Sequence, residues 1–252
     1  MKLESLLQYL DGYLGVSAHP DYPGALNGLQ VGGVDEVEHI VAAVDASQAS
    51  IEEAVSREAD LLLVHHGLFW GGLQPLTGRM FRKVQALVDA RIAVYGVHLP
   101  LDGHAEVGNS ALLARALGVE PVHRFAAYRT AEIGWWGELE EALDPETLVE
   151  RVSTVLGGGA HLIPGGPDRI ERVGVVTGGG ASFTAEAASL GLDALVTGEG
   201  SHHTHFDAME LGVHVLLGGH YATETFGVKA LAAHLADRFD MTWEFVDLPT
   251  GL

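Results

Sequence analysis

The chain has 252 residues, 47% hydrophobic and 19% charged, the composition of a folded protein long enough for one large domain or two small ones. It contains no cysteine, which excludes disulfides, thiolate metal sites and thiol nucleophiles, so any metal must be held by histidine and carboxylate. Fourteen basic residues stand against 34 acidic ones, and the resulting net charge of −20 repels phosphate backbones and argues against nucleic acid as a partner.

The first segment, "MKLESLLQYLDGYLG", places Leu3, Leu6, Leu7, Leu10 and Leu14 at helical spacing with charges between them. That is an amphipathic helix and not the continuous apolar core of a signal peptide. No apolar run approaches the roughly 18 residues of a membrane helix, so a cytoplasmic protein without a membrane partner is expected. Residues 39–47 read as a strand running into a turn, 50–59 as a helix, and 60–67, "DLLLVHHG", as a second strand. Residues 79–91 form a helix and 92–102, "IAVYGVHLPLD", a third strand leaving into a loop. Strands alternating with helices imply parallel βαβ units with right-handed crossovers, and strands apolar on both faces imply helices covering both sides of the sheet.

The pattern then recurs. Residues 32–67 align without a gap on residues 165–200 at an offset of 133, with ten identities in 36 pairs, where chance gives roughly two or three. "VYGVHLPLD" (94–102) matches "LLGGHYATE" (216–224) at an offset of 122, pairing His98 with His220 and Asp102 with Glu224. The fold class is therefore α/β, with two structurally related halves, each a mostly parallel sheet flanked by helices. The first half, residues 1–124, carries the His-His pair and Asp102, and the second, 125–252, carries the late His and Glu. The periodicity breaks between them at residues 120–130. The glycine-rich pieces at 157–167 and 177–182 lack the G-x-x-x-x-G-K-[ST] pattern of a phosphate loop and read as tight turns.

Parallel α/β sheets gather ligands at the carboxyl ends of their strands. His65, His66, His98, Asp102, His220 and Glu224 all fall there. Adjacent residues on a strand point to opposite faces, so His65 and His66 can serve one site if the strand stops at them, a break that Gly67 permits. Three imidazoles (His65, His66, His220) and two carboxylates (Asp102, Glu224) suit two neighbouring divalent ions, since a carboxylate can bridge cations roughly 3.5–4 Å apart. His220 and Glu224 share a face if the chain turns helical there, with Thr223 or Thr225 as a cap. This mixed donor set accommodates Zn, Fe, Mn or Ni. The isolated histidines His39, His123, His161 and His234 read as surface or hydrogen-bonded residues, and the cluster at 202–205 as equally a helix start or a neighbour of the site.

"NGLQVGG" (27–33), "VHHGLFW" (64–70), "VHLPLDGHAEVGN" (97–109), "VTGEGSHH" (196–203) and "GGHYATETFG" (219–227) resemble, in order and over essentially the whole chain, the motifs of the Nif-three-like family, whose members are often described as GTP cyclohydrolase 1 type 2 homologues. The length matches its short form, without an inserted domain. The resemblance implies a two-domain α/β subunit in a toroidal homohexamer with a dinuclear metal centre. It implies that Glu224 bridges the ions, that His65 and His220 bind one, and that His66 and Asp102 bind the other, with His98 close by. Where the family motif often reads "HTNLD", this chain has "HLPLD", which removes a Thr and an Asn from that loop.

The repeat sets Glu199 opposite His66, which suggests a carboxylate beside the metals that orients a water or acts as acid/base; Glu199 and His98 are the candidate catalytic residues. The expected function is a metal-dependent hydrolase. The resemblance implies a nucleotide substrate and GTP-cyclohydrolase-like chemistry, and the site admits phosphoester hydrolysis equally well. The alternative is a non-catalytic metal-binding regulatory or scaffold hexamer.

Overall fold

The computed structural model describes residues 1–252 as two compact units. The first comprises residues 1–101 and 227–248, the second 102–226 and 249–252.

In the first unit, α1 (Leu3–Tyr13) precedes β1 (Gly28–Val31), β2 (His39–Asp45), α2 (Gln48–Ser56), β3 (Leu61–His66), α3 (Gly78–Ala90) and β4 (Ala93–Gly96). The chain leaves within α4 (Leu99–Asp102), returns within α10 (Thr225–Phe239) and ends the unit on β11 (Thr242–Phe245). The sheet order is β1-β4-β3-β2-β11. All its pairings are parallel except that of β1, which runs against β4. The central strands are apolar on both faces because both are covered. Val41, Leu62, Val64 and Val94 share one cluster with Ile51 of α2 and Leu87 of α3. Ser47 and Ser50 close a reciprocal cap at the start of α2, satisfying amide groups that the first helical turn leaves without intrahelical partners.

The second unit contains α5 (Asn109–Ala116), β5 (His123–Tyr128), β6 (Ala131–Leu143), α6 (Pro145–Leu156), β7 (His161–Ile163) and β8 (Ile170–Val176). A 3₁₀ turn (Gly180–Phe183) then leads into α7 (Thr184–Ser189), β9 (Ala194–Thr197), α8 (Thr204–Leu211), β10 (His214–Leu217) and α9 (His220–Thr223). The sheet order is β5-β6-β8-β9-β10-β7. Leu113 of α5 and Leu148 and Val152 of α6 bury with Val173, Val175, Val196 and Leu216 of the sheet.

The parallel core expected from the repeat is present in both units. Ile40 pairs with Leu61 between β2 and β3, and Val173 with Ala194 between β8 and β9, so both partners shift by the same 133 residues. The third strand follows a different offset. Leu61 pairs with Ala93 and Ala194 with His214, which makes the strand offset 121 and sets Leu99, not His98, opposite His220. Matching identical residues pulls that alignment one position away from the hydrogen-bond register. The second sheet also gains the antiparallel strands β5, β6 and β7, which the sequence reading did not anticipate. β6 alternates between more buried and more exposed residues only from Trp135 to Glu140, too short a period-two signal to mark a strand of 13 residues.

Candidate metal centre

Within the first unit, three imidazoles gather at the carboxyl ends of β3 and β4. One ring nitrogen each of His65, His66 and His98 lies within 4.8 Å of the others. Every ring is held by its Nδ1. That of His65 meets the carbonyl oxygen of Val97 at 2.9 Å, that of His66 the Asp45 Oδ1 at 2.9 Å, and that of His98 the Asp21 Oδ1 at 2.8 Å. A carbonyl oxygen only accepts, so His65 carries its proton on Nδ1 and its lone pair on Nε2; an imidazole donating to a carboxylate does the same. This is the outer support that metal-binding histidines ordinarily have, and it gives the cluster the donor chemistry a divalent cation needs.

The local fold explains each support. Asp45 is the register partner of His66 on the neighbouring parallel strand, so the two side chains emerge side by side. Asp21 is fixed in its loop by the backbone N–H groups of Tyr22 and Leu99 and by the Asn27 amide. Burial would raise its carboxyl pKa, but the hydrogen bond and charge of His98, with Asn27 and Tyr22, bring it below its usual value. β3 ends at His66, as expected, and Gly67 beyond it also answers a packing requirement. A Cβ there would lie 2.0 Å from the Gln30 side chain, whose oxygen accepts from the Leu68 N–H at 2.7 Å. Trp70 stands edge-on to His98, centroids 4.8 Å apart, and to His66 at 5.7 Å.

Within the second unit, Asp102 and His220 each lie close to Glu224. Asp102 and Glu224 are 4% and 2% exposed, and an oxygen of each lies within 4.8 Å of the other. Two buried carboxylates this close repel, an arrangement that a cation relieves. Asn109 Nδ2 and Thr177 Oγ1 both donate to Asp102 Oδ1, at 2.8 and 3.1 Å. His220 is clamped between carboxylates, with Nδ1 3.0 Å from Glu199 Oε1 and Nε2 3.2 Å from Glu224 Oε1. The Glu224 hydrogen bond, opposed by burial and aided by Glu199, pushes the His220 pKa up to about 9. His220 and Glu224 do share a face through α9, as their spacing predicts. Thr223 and Thr225, considered as caps, instead donate backward to the carbonyls of Gly219, His220 and Ala222.

Glu199 therefore sits directly on a candidate ligand. A cavity of about 290 Å³ adjoins it, lined by Ser182, Ser201, His203 and Thr204 among others, so of the 202–205 cluster His203 and Thr204 border this region. His39 bonds Thr242, His123 stacks on Trp136 and His234 on Tyr13, the structural roles expected of isolated histidines. Sequence reasoning missed Asp21, Asp45 and Asn109. Asn109 ends the motif 97–109, and Asp45 lies within the strand-and-turn segment predicted at 39–47, where it ends the observed β2; Asp21 gave no signal.

The fold and these clusters define an α/β protein of two repeated units whose histidine and carboxylate groups could hold a metal ion. The family model Duf34/NIF3 (NGG1p interacting factor 3) matches residues 1–250, and the chain belongs to that family. A relative from Deinococcus radiodurans, the "GTP cyclohydrolase 1 type 2 homolog", is 43% identical over 249 residues, covering 99% of this chain and 94% of the relative. Among solved structures, the protein ybgI, described as of unknown function, superimposes with a TM-score of 0.93 at 39% identity, and TTHA1606 from Thermus thermophilus with 0.89 at 40%; both match over 100% of each chain.

Proposed function

We propose that the protein is a metal-dependent hydrolase in which His65, His66, Asp102, His220 and Glu224 would hold two divalent ions per subunit. The observation that carries this reading is the set of Nδ1-anchored imidazoles in one unit together with two close, buried carboxylates in the other. Zinc, iron, manganese and nickel all suit such donors. The ions would lower the pKa of a bound water and polarise the bond under attack.

The chain's own residues have distinct parts. Asp45, Asp21 and the Val97 carbonyl fix the imidazoles. Glu199 holds the His220 ring through Nδ1 and accepts a proton there. His98 lies against His65 and His66 and serves as the proton-handling group beside them. The substrate class is a nucleotide, in the sense of the relatives' name, or a phosphoester. The working form is a toroidal homohexamer in the cytoplasm; the family resemblance supports the assembly, and light scattering of the purified protein tests it. No helix is long and apolar enough to cross a membrane.

The central test assays metal-loaded wild type and His65→Ala against GTP, other nucleotides and phosphoesters, with metal content measured on both. Metal-dependent turnover lost in the variant is the expected result. A wild type that binds metal yet turns over none of the panel would instead favour a non-catalytic metal-binding scaffold.

A further inference from the structure

Beside the His65–His66–His98 cluster lies a second feature that the metal chemistry does not use. A cavity of about 200 Å³ begins at Gly67, the residue after His66, and is lined by Leu68, Trp70, Gln74, Arg79, Met80 and Lys83. Its walls differ in character. Leu68 and Met80 are buried and apolar. Trp70 is 39% exposed, and its ring contacts His66 and His98. Arg79 and Lys83 lie four residues apart on α3, Arg79 exposed and Lys83 half-buried.

In a chain with only 14 basic residues and a net charge of −20, two cations on one cavity wall are conspicuous. One ammonium hydrogen of Lys83 is spent on the Ala46 carbonyl at 2.6 Å, which fixes the side chain in place and leaves two donors. Burial, followed by the nearby charge of Arg79, lowers the Lys83 pKa, with Asp45 opposing. Arg79 and Lys83 stand one helical turn apart on the wall of one cavity, and an anion bound by both would relieve their mutual repulsion. Arg offers a planar fork matched to phosphate oxygens and Lys a compact point charge.

We propose that this cavity is a substrate subsite in which the phosphoryl group of a phosphate ester docks on Arg79 and Lys83 while a flat ring lies against Trp70. The proposal rests on the hydrolase reading above and names the part of the substrate that the protein itself recognises. At about 200 Å³ the cavity is smaller than the pockets that enclose drug-sized ligands, which suits one ring and one phosphoryl group. Apolar contact with Leu68 and Met80 adds affinity without specificity, and the cations supply the selection for a dianion.

The test uses phenyl phosphate, inorganic phosphate and phenol as probes, titrated calorimetrically into the full-length protein, wild type and variants, with metal content measured on each. Wild type binds phenyl phosphate more tightly than either inorganic phosphate or phenol. Arg79→Gln and Lys83→Gln each weaken it by about tenfold with metal content unchanged. Trp70→Ala removes the preference of phenyl phosphate over inorganic phosphate. His65→Ala, stripped of metal, keeps binding within about threefold of wild type. Unaltered binding in both cation variants overturns the subsite, as does phenyl phosphate binding no tighter than inorganic phosphate with Trp70→Ala silent. Binding abolished by metal loss alone also overturns it, because the phosphate then sits on the ions, and the hydrolase reading survives. If instead wild type carries no metal while the cation variants lose the probe, the subsite stands and the hydrolase reading falls.

Discussion

Gly178 offers a direct test of the second ligand set. Its φ is +64°, and a Cβ built on it would lie 2.1 Å from Glu224 Oε1 and 3.2 Å from His220 Nε2. The backbone there cannot yield easily. The Gly178 N–H donates to Thr223 Oγ1 at 3.1 Å, and its carbonyl accepts from the N–H groups of Gly198 and Glu199 and from Thr197 Oγ1, at 2.9, 3.0 and 3.0 Å. In Gly178→Ala the carboxylate must therefore retreat, by about 1.2–1.5 Å to reach an ordinary carbon–oxygen separation. The left-handed φ costs about 1 kcal/mol, and displacing a buried, hydrogen-bonded carboxylate adds roughly 1–3 kcal/mol. The sum corresponds to a fall in Tm of about 5–12 °C for a chain of this size, and loss of metal accompanies it if Glu224 is a ligand as proposed. Thermal unfolding with and without EDTA, and elemental analysis of the purified variant, read both effects. Gly179→Ala is the control. Its φ is −82°, the nearest atom to its Cβ is Glu199 Oε1 at 3.7 Å, and it should melt and bind metal like wild type. A Gly178→Ala protein with wild-type metal content and Tm would refute the placement of the His220–Glu224 pair at the metal.

Asp45→Ala removes the acceptor that orients His66 and should weaken metal affinity about 10–100-fold with little change in far-UV circular dichroism, checked by chelator competition. In metal-free protein the raised His220 pKa stabilises the folded state fully below about pH 6.5, and the contribution disappears as pH rises through about 9. Urea titrations of EDTA-treated protein should show a loss of at most about 3 kcal/mol over that window, reduced by solvent screening; Glu199→Gln should shrink it, and no pH dependence there would contradict the clamp. Tyr95→Phe, which deletes a buried hydroxyl bonded to Asp11 Oδ1 at 2.8 Å, should cost about 1–2 kcal/mol and leave metal content unchanged, separating fold stability from the site.

Much of this protein was written locally. The apolar runs of β2, β3, β8 and β9, recurring 133 residues apart, determined the repeated α/β units because a strand covered on both faces has no room for polar residues. The His65-His66 strand end and the four-residue spacing of His220 and Glu224 were legible for the same reason: short-range geometry places them. Tertiary structure alone decided what holds those side chains. Asp45 reaches His66 from 21 residues away and Asp21 reaches His98 from 77. Thr177 reaches Asp102 from 75. Such contacts depend on which strands become neighbours and in what register, and hydrophobic periodicity records only that a face is buried, not what it is buried against. The one-residue difference between the sequence offset and the strand register around His220 has the same origin, since hydrogen bonds between neighbouring strands, and not residue identity, set the alignment of a sheet.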